Sequence, residues 1–452
     1  MSGRGGRSSG GRSSGGRGGR SSSRGGGGRS SGGRGGGRGG RGDNVMKGYH
    51  NPCQAYTTGG NCPRGDSCNF GHVVRLFKAF PASTPMPQQN TGGYNGYNSN
   101  ANNPRHYAVK SIAIWESNGI QIFTGSEDGY WRLWNTAGMS FNKTFEQNMN
   151  GPVASLKVVS NHLFCGFSGT VKGAPDAKAG QVHVWNLAQT GNPPMELHIA
   201  EPWLSYAHSQ NVTCLEIVDN AGSPRIISGS ADGAIRVWTH QNNKFAMEKS
   251  LPGHAGAVTG LCMIPGGNLL WSSSMDGTLR IWDLAQPDVT ACQHCISRET
   301  VPHTNNPQGG APLGGHSGGV TALLPFSMNA GNFLISGSMD GTVKVWDAAT
   351  GNCVQAVDSG EGVVSMSVAT TQTNIQVLLI GLQSGNIHCR NIMPSPNGTP
   401  AFTLLFNLSG KYTAAHSGSV NAVVGGPAAT FYTGGKDGQV MVWQLTGDLS
   451  LT

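Results

Sequence analysis

Short apolar runs alternate with polar residues in one recurring pattern along most of the chain. It is clearest in IISGSADGAIRVW (226–238), LWSSSMDGTLRIW (270–282), LISGSMDGTVKVW (334–346) and FYTGGKDGQVMVW (431–443). Each reads as a short apolar strand, an Asp-Gly pair, and a strand of period-two alternation ending on Trp. Asp-Gly between alternating strands predicts a tight hairpin, because a two-residue turn needs positive φ. FTGSEDGYWRLW (123–134) is a fifth copy. Two further copies are degenerate. In LFCGFSGTVKGAPDAKAGQVHVW (163–185) the turn has grown into a loop, and in LIGLQSGNIHCR (379–390) Ser384 and Arg390 stand in the Asp and Trp positions. The terminal positions of the units fall at 134, 185, 238, 282, 346, 390 and 443. One unit alone exposes both faces of a small sheet, and radial stacking of the units buries those faces and hides the edges.

Upstream of four units a His lies four residues before a Val: His208/Val212, His254/Val258, His316/Val320 and His416/Val420. With the Ser or Thr before each turn, this pattern resembles the WD-repeat family, whose fold is a β-propeller. The resemblance implies an all-β, seven-bladed propeller over 106–452 with hydrogen-bonded His–Ser/Thr–Asp–Trp sets. Examples are His208, Ser228, Asp232 and Trp238, or His416, Thr433, Asp437 and Trp443. A His with an Asp and a Ser also invites a catalytic reading. Recurrence of one set around a ring points instead to satisfied structural polar groups, so no catalytic residue and no enzyme activity is expected. The resemblance also implies that a strand from before the repeats closes the last blade. VVRLFKAF (73–80), which alternates apolar and basic residues, is the candidate, and DLSLT (448–452) competes with it.

The N-terminal part is of another kind. Residues 2–42 contain only Gly, Arg and Ser. Ten of the 31 Lys+Arg lie there, and the remaining 21 face 23 Asp+Glu, so the net charge of +8 belongs to this tail. With no apolar residue after Met1 it cannot bury a core and is expected to be disordered. It lacks the apolar helical face of a transit peptide. No signal peptide is visible, and no apolar stretch approaches the ~18 residues of a membrane span. Seven of the ten cysteines are scattered, mostly in apolar strand-like runs, which fits free thiols in a reducing compartment better than disulfides. The expected location is nucleus or cytoplasm, with the nucleus favoured. The expected organisation is a tail at 1–46, a metal-binding segment at 47–73, a closing strand plus Pro/Asn/Gly-rich loop at 74–105, and the repeats at 106–452.

The metal-binding segment holds CQAYTTGGNCPRGDSCNFGH, with the spacing Cys53-x8-Cys62-x5-Cys68-x3-His72. Three thiols and an imidazole suit tetrahedral Zn2+. The residues between them are loop-formers with almost no apolar content, so the ion would supply the folding energy. Order and spacing resemble the CCCH-type zinc finger. That resemblance implies single-stranded RNA binding by aromatic side chains between the ligands, here Tyr56 and Phe70, on which bases stack. Lys47, Arg64 and Arg75 could meet phosphates. A structural or protein-binding knuckle is the alternative. The tail carries Arg-Gly-Gly at Arg4, Arg17, Arg24, Arg34 and Arg38, interleaved with Arg-Ser-Ser at Arg7, Arg12, Arg20 and Arg29. This resembles the RGG box of RNA-binding proteins and implies RNA contact and arginine methylation. CQHC (292–295) with His303 is a weaker second metal candidate, because no further Cys pair follows.

A CCCH finger followed by seven repeat units resembles the plant-type CCCH zinc-finger WD-repeat proteins, over about residues 47–450. What this implies is an RNA-associated adaptor. Finger and tail contact single-stranded RNA, the propeller recruits protein partners, and neither membrane nor small-molecule substrate is involved. The alternative is a protein-only scaffold, for example a ubiquitin-ligase substrate receptor. That class often ends a unit with Trp-Asp-x-Arg, whereas this chain has WDLA (282–285) and WDAA (346–349).

Overall fold

The computed structural model describes residues 52–64, 68, 72–87 and 106–446, apart from 118, 173, 190, 200–205, 221–222, 242–243, 287–290, 307–309, 329–330 and 410–414. The tail, Lys47, Phe70, most of the 81–105 loop and 448–452 lie outside the described residues. The described strands form seven four-stranded antiparallel sheets, a seven-bladed β-propeller. Six blades are consecutive in sequence, at 109–148, 153–196, 212–251, 258–296, 320–358 and 363–408. The seventh combines 420–445 with a strand from far upstream, Val74–Pro81.

Each terminal position named above sits on a third strand opposite an apolar residue of the second. The pairs are Trp134–Ile122, Trp185–Leu163, Trp238–Ile226, Trp282–Leu270, Trp346–Leu334, Arg390–Leu378 and Trp443–Phe431. Arg390 therefore occupies a true seventh equivalent, where it donates to the Asp358 carbonyl at 2.8 Å. The apolar clusters lie between neighbouring blades. Trp282, for instance, packs with Val237 and Leu251 of the blade before it. Hydroxyls and one amide stitch the ring on its inner side. Thr259, Thr321 and Ser365 donate to the carbonyls of Val320, Val363 and Val420 in the next blade at 2.6–2.7 Å. Asn421 donates to Val109 at 2.9 Å, which joins blade seven to blade one.

The insertion in blade two is not a loop. Strands His162–Val171 and Ala174–Asn186 stay paired past the normal turn position, through Ser168–Gly180 and Thr170–Lys178 to Val171–Ala174. Small residues and Pro175 give the segment a loop-like composition. Pairing needs only backbone groups, and Pro175 falls in the irregular stretch between the last two rungs, where it owes no ladder hydrogen bond.

The closing strand pairs antiparallel with Gln439–Leu445, from Val74–Leu445 to Pro81–Gln439. Its alternation is read out in burial. Val74 is fully buried, Lys78 is exposed, and Phe80 packs tilted against Trp134 and stacks on Phe141 of blade one. Gln439 follows the Asp437-Gly438 turn, so Val74 lies at the opposite end of the blade, and residues 52–72 precede it there. At the other end the Asp-Gly turns abut the next blade. A Cβ on Gly233, which has φ +79°, would come within 2.5 Å of the His254 carbonyl. All ten cysteines are free. Among the described residues no helix is long and apolar enough to cross a membrane.

Candidate metal centre

Cys53 caps a short helix, Gln54–Gly59, whose turns close with Thr57 N–H to the Cys53 carbonyl and Gly60 N–H to the Tyr56 carbonyl, both at 2.8 Å. Gly60 ends it in the left-handed region, at φ +74°, where a side chain would be strained. The reversal brings Cys62 back beside Cys53, with the two sulfurs 3.6 Å apart. With Cys68 and His72, the four donor atoms all lie within 4.8 Å of one another. Zn–S bonds of about 2.3 Å arranged tetrahedrally place sulfurs about 3.8 Å apart, so the cluster has the dimensions of a zinc site.

Two observations show that the donor set fits the ion. His72 Nε2 is buried with no hydrogen-bond partner, a cost that a metal bond removes. Burial would raise the Cys62 thiol, but the Arg64 backbone and the neighbouring His72 imidazole outweigh it and bring it down to about 7. Cys53 is pushed up by burial, with the neighbouring thiols adding to the effect. The protein thus binds Zn2+, which would be held by Cys53, Cys62, Cys68 and His72.

The site is tied to the propeller. Thr446, just past the third strand of blade seven, donates its hydroxyl to the His72 carbonyl at 3.3 Å and its N–H to the Val73 carbonyl at 2.9 Å. Arg75 runs back across the helix end. A Cβ on Gly60 would meet its guanidinium at 2.7 Å, and the same group lies 5.3 Å from the Phe77 ring centroid. Arg75 stays exposed, and so does Arg64. The Tyr56 ring stacks on the His72 imidazole with centroids 4.6 Å apart and planes 20° apart. Sequence reasoning missed this stack, because it depends on how the helix and the fourth ligand meet in space.

The other Cys/His candidates have different employment. Arg280 donates to the Cys292 sulfur at 3.6 Å, and His303 Nε2 bonds the Gly315 carbonyl at 2.9 Å. The four His–Ser/Thr–Asp–Trp sets form as expected. His Nδ1 meets the Asp at 3.3, 3.0, 3.1 and 2.9 Å in blades three, four, five and seven. The Ser or Thr hydroxyl sits between His Nε2, at 2.7–2.8 Å, and the Trp indole N–H, at 2.7–3.0 Å. Each hydroxyl is therefore occupied on both sides by its own blade.

Fold and cluster define a class, a zinc finger joined to a repeat propeller. The family model described as zinc finger C-x8-C-x5-C-x3-H type matches residues 49–74. The model described as WD domain, G-beta repeat matches 101–135, 201–239, 246–283, 310–347 and 407–444, which are blades one, three, four, five and seven. Finger and repeats together make the chain similar to CCCH-type zinc-finger proteins and to WD-repeat proteins. It is 26% identical to zinc finger CCCH domain-containing protein 17 of Oryza sativa subsp. japonica, over 55% of this chain and 69% of the relative. It is 24% identical to zinc finger CCCH domain-containing protein 62 of Arabidopsis thaliana, over 51% of this chain and 45% of the relative. Mitochondrial division protein 1 of Aspergillus niger is 29% identical over 34% of this chain, which spans only 24% of that protein's length. A finger joined to a propeller is an arrangement suited to an adaptor or scaffold.

Proposed function

We propose that this adaptor is RNA-associated, with the finger and the Arg-Gly-rich tail contacting single-stranded RNA while the propeller recruits protein partners. The observation that carries the reading is Tyr56. Its ring continues the imidazole of the fourth ligand at 4.6 Å and is only half-buried, so the face turned away from His72 is available to a base. Stacking of this kind is worth about 1–3 kcal/mol per base. Arg64, exposed beside the second ligand, and the arginines of the tail supply phosphate contacts. Lys47 and Phe70 complete the proposed contact set from the sequence. Arg75 lays its guanidinium against Gly60 of the finger and stays exposed at the same junction. One finger holds few bases, and the tail raises its effective concentration on the same strand. We place the protein in the nucleus or cytoplasm on its free thiols.

The test is ultraviolet crosslinking of the full-length protein to single-stranded RNA, beside Cys68→Ser and a deletion of residues 1–42. Each variant is expected to lose crosslinked RNA. If both crosslink as the wild type does, the protein-only scaffold takes over.

A further inference from the structure

Blade two departs from the repeat in its core as well as in its long hairpin, and a crevice lies beside it. Where blade three has Ser228 opposite Arg236, blade two has Cys165 opposite His183. No hydroxyl is set there for Trp185, whose ring instead meets Trp131 of blade one edge-on at 5.4 Å. Between the two blades, at the end carrying the Asp-Gly turns, lies a crevice of about 240 Å³. Phe167, His183 and Trp185 form its aromatic wall, and Gln147, Asn150 and Gln181 its polar one. No Asp, Glu, Lys or Arg is among its described lining residues. Burial pushes His183 down to about 4 although Glu196 lies 3.9 Å away, so its ring is uncharged at neutral pH.

The amides are already set. Gln181 donates its N–H to the Thr170 carbonyl at 2.8 Å, and Gln147 donates to the Asn148 carbonyl at 3.1 Å. Each is thereby held, with its own carbonyl oxygen left as an acceptor. A buried donor stands beside them. The Trp131 indole N–H is without a partner, and Trp131 is the cross-strand partner of Gln147 and the ring neighbour of Trp185. The two glutamine carbonyl oxygens thus ask for a flat, uncharged ligand with N–H donors on its edge, and the indole N–H beside them asks for an acceptor on the same ligand. Unpaired bases bearing an exocyclic amine have that chemistry, and amide side chains with aromatic rings are the groups that recognise them. The exposed Lys178, on the rung Thr170–Lys178 of the extended hairpin, stands at the rim for a phosphate.

We propose that the crevice between blades one and two is a second nucleobase site, taking one amine-bearing base of single-stranded RNA. It rests on the RNA reading above but on different residues, at the other end of the propeller from the finger.

The experiment measures binding of labelled oligo(A) and oligo(U) twelve-mers to the full-length protein, to a Gln147→Ala/Gln181→Ala double variant and to Cys68→Ser. The double variant is expected to lose about tenfold in affinity for oligo(A) and little for oligo(U), with an unchanged melting temperature. Cys68→Ser is expected to keep the preference for oligo(A). Wild-type oligo(A) affinity in the double variant overturns the proposal, including the case in which that variant instead loses a protein partner and the crevice is a peptide site. If the wild type binds neither oligonucleotide, the RNA reading falls with it. A wild type that binds both equally, with binding lost only in Cys68→Ser, overturns the crevice alone.

Discussion

Ser336 shows how single residues hold a blade. Asp340 takes the Nδ1–H of His316, so Nε2 of the neutral ring is an acceptor. Ser336 donates into it at 2.7 Å and accepts from the Trp346 indole at 2.7 Å. Ser336→Ala strands two buried groups at once, each costing about 1–3 kcal/mol. The expected outcome is a denaturation midpoint well below wild type, against no change for Ser327→Ala on the exposed end of the same blade's inner strand. The same sets give stability a pH dependence. Burial holds His208 and His316 below the ordinary histidine value. Burial alone would raise Asp232 and Asp340, but their hydrogen bonds to these histidines hold them well below the usual carboxylate range. Below about pH 6.5 the unfolded chain binds protons at histidines that the folded chain leaves neutral, and below about pH 4 it does so at the aspartates. Both effects remove stability on acidification. The urea midpoint should therefore be lower at pH 5.5 than at pH 7.5, and lower again below pH 4. Cys68→Ser is the protein to measure, since it takes zinc-ligand protonation out of the comparison.

At the scale of elements, the closing strand Val74–Pro81 links the two halves of the protein. Deleting 73–80 removes a fully buried Val74 and the Phe80 contacts with Trp134, and should lower the propeller's melting temperature. Because Thr446 bonds the His72 and Val73 carbonyls, removing zinc should loosen the junction from the finger side. Hydrogen exchange after chelation should rise at 73–76 and 444–446 and stay unchanged at 334–346. Uniform protection before and after would separate finger from blade. Much of this architecture was legible in the sequence. Asp-Gly and Trp mark each hairpin in five blades, Arg390 could be counted into the Trp series, and the family resemblance implied a closing strand for which VVRLFKAF and DLSLT were the candidates. What failed was composition. Gly, Ala and Pro at 172–180 suggested a loop, but Ala174 and Lys178–Gly180 pair regardless. The hydroxyl stitching had a signal, the Val-Thr pair that opens blades three, four and five. Its role could not be seen until the next blade's carbonyl was in place.

At the scale of the whole molecule, finger and propeller lie in one compact unit spanning 47–452, with the metal cluster at the end of blade seven opposite the Asp-Gly turns. The ligand set was plain in the sequence because four residue types at fixed spacing specify it. The Tyr56–His72 stack and the blade-two crevice were not, since each joins segments far apart in the chain. On the proposed function, RNA held by the finger and proteins held by the propeller would sit on one compact unit. The most direct measurement is the affinity of the full-length protein for single-stranded RNA when zinc-loaded, after chelation, and after zinc is restored, with circular dichroism confirming that the propeller stays folded. The account predicts a loss of about tenfold or more on chelation, from base stacking on the finger, and full recovery with zinc. The same affinity in all three states would contradict it.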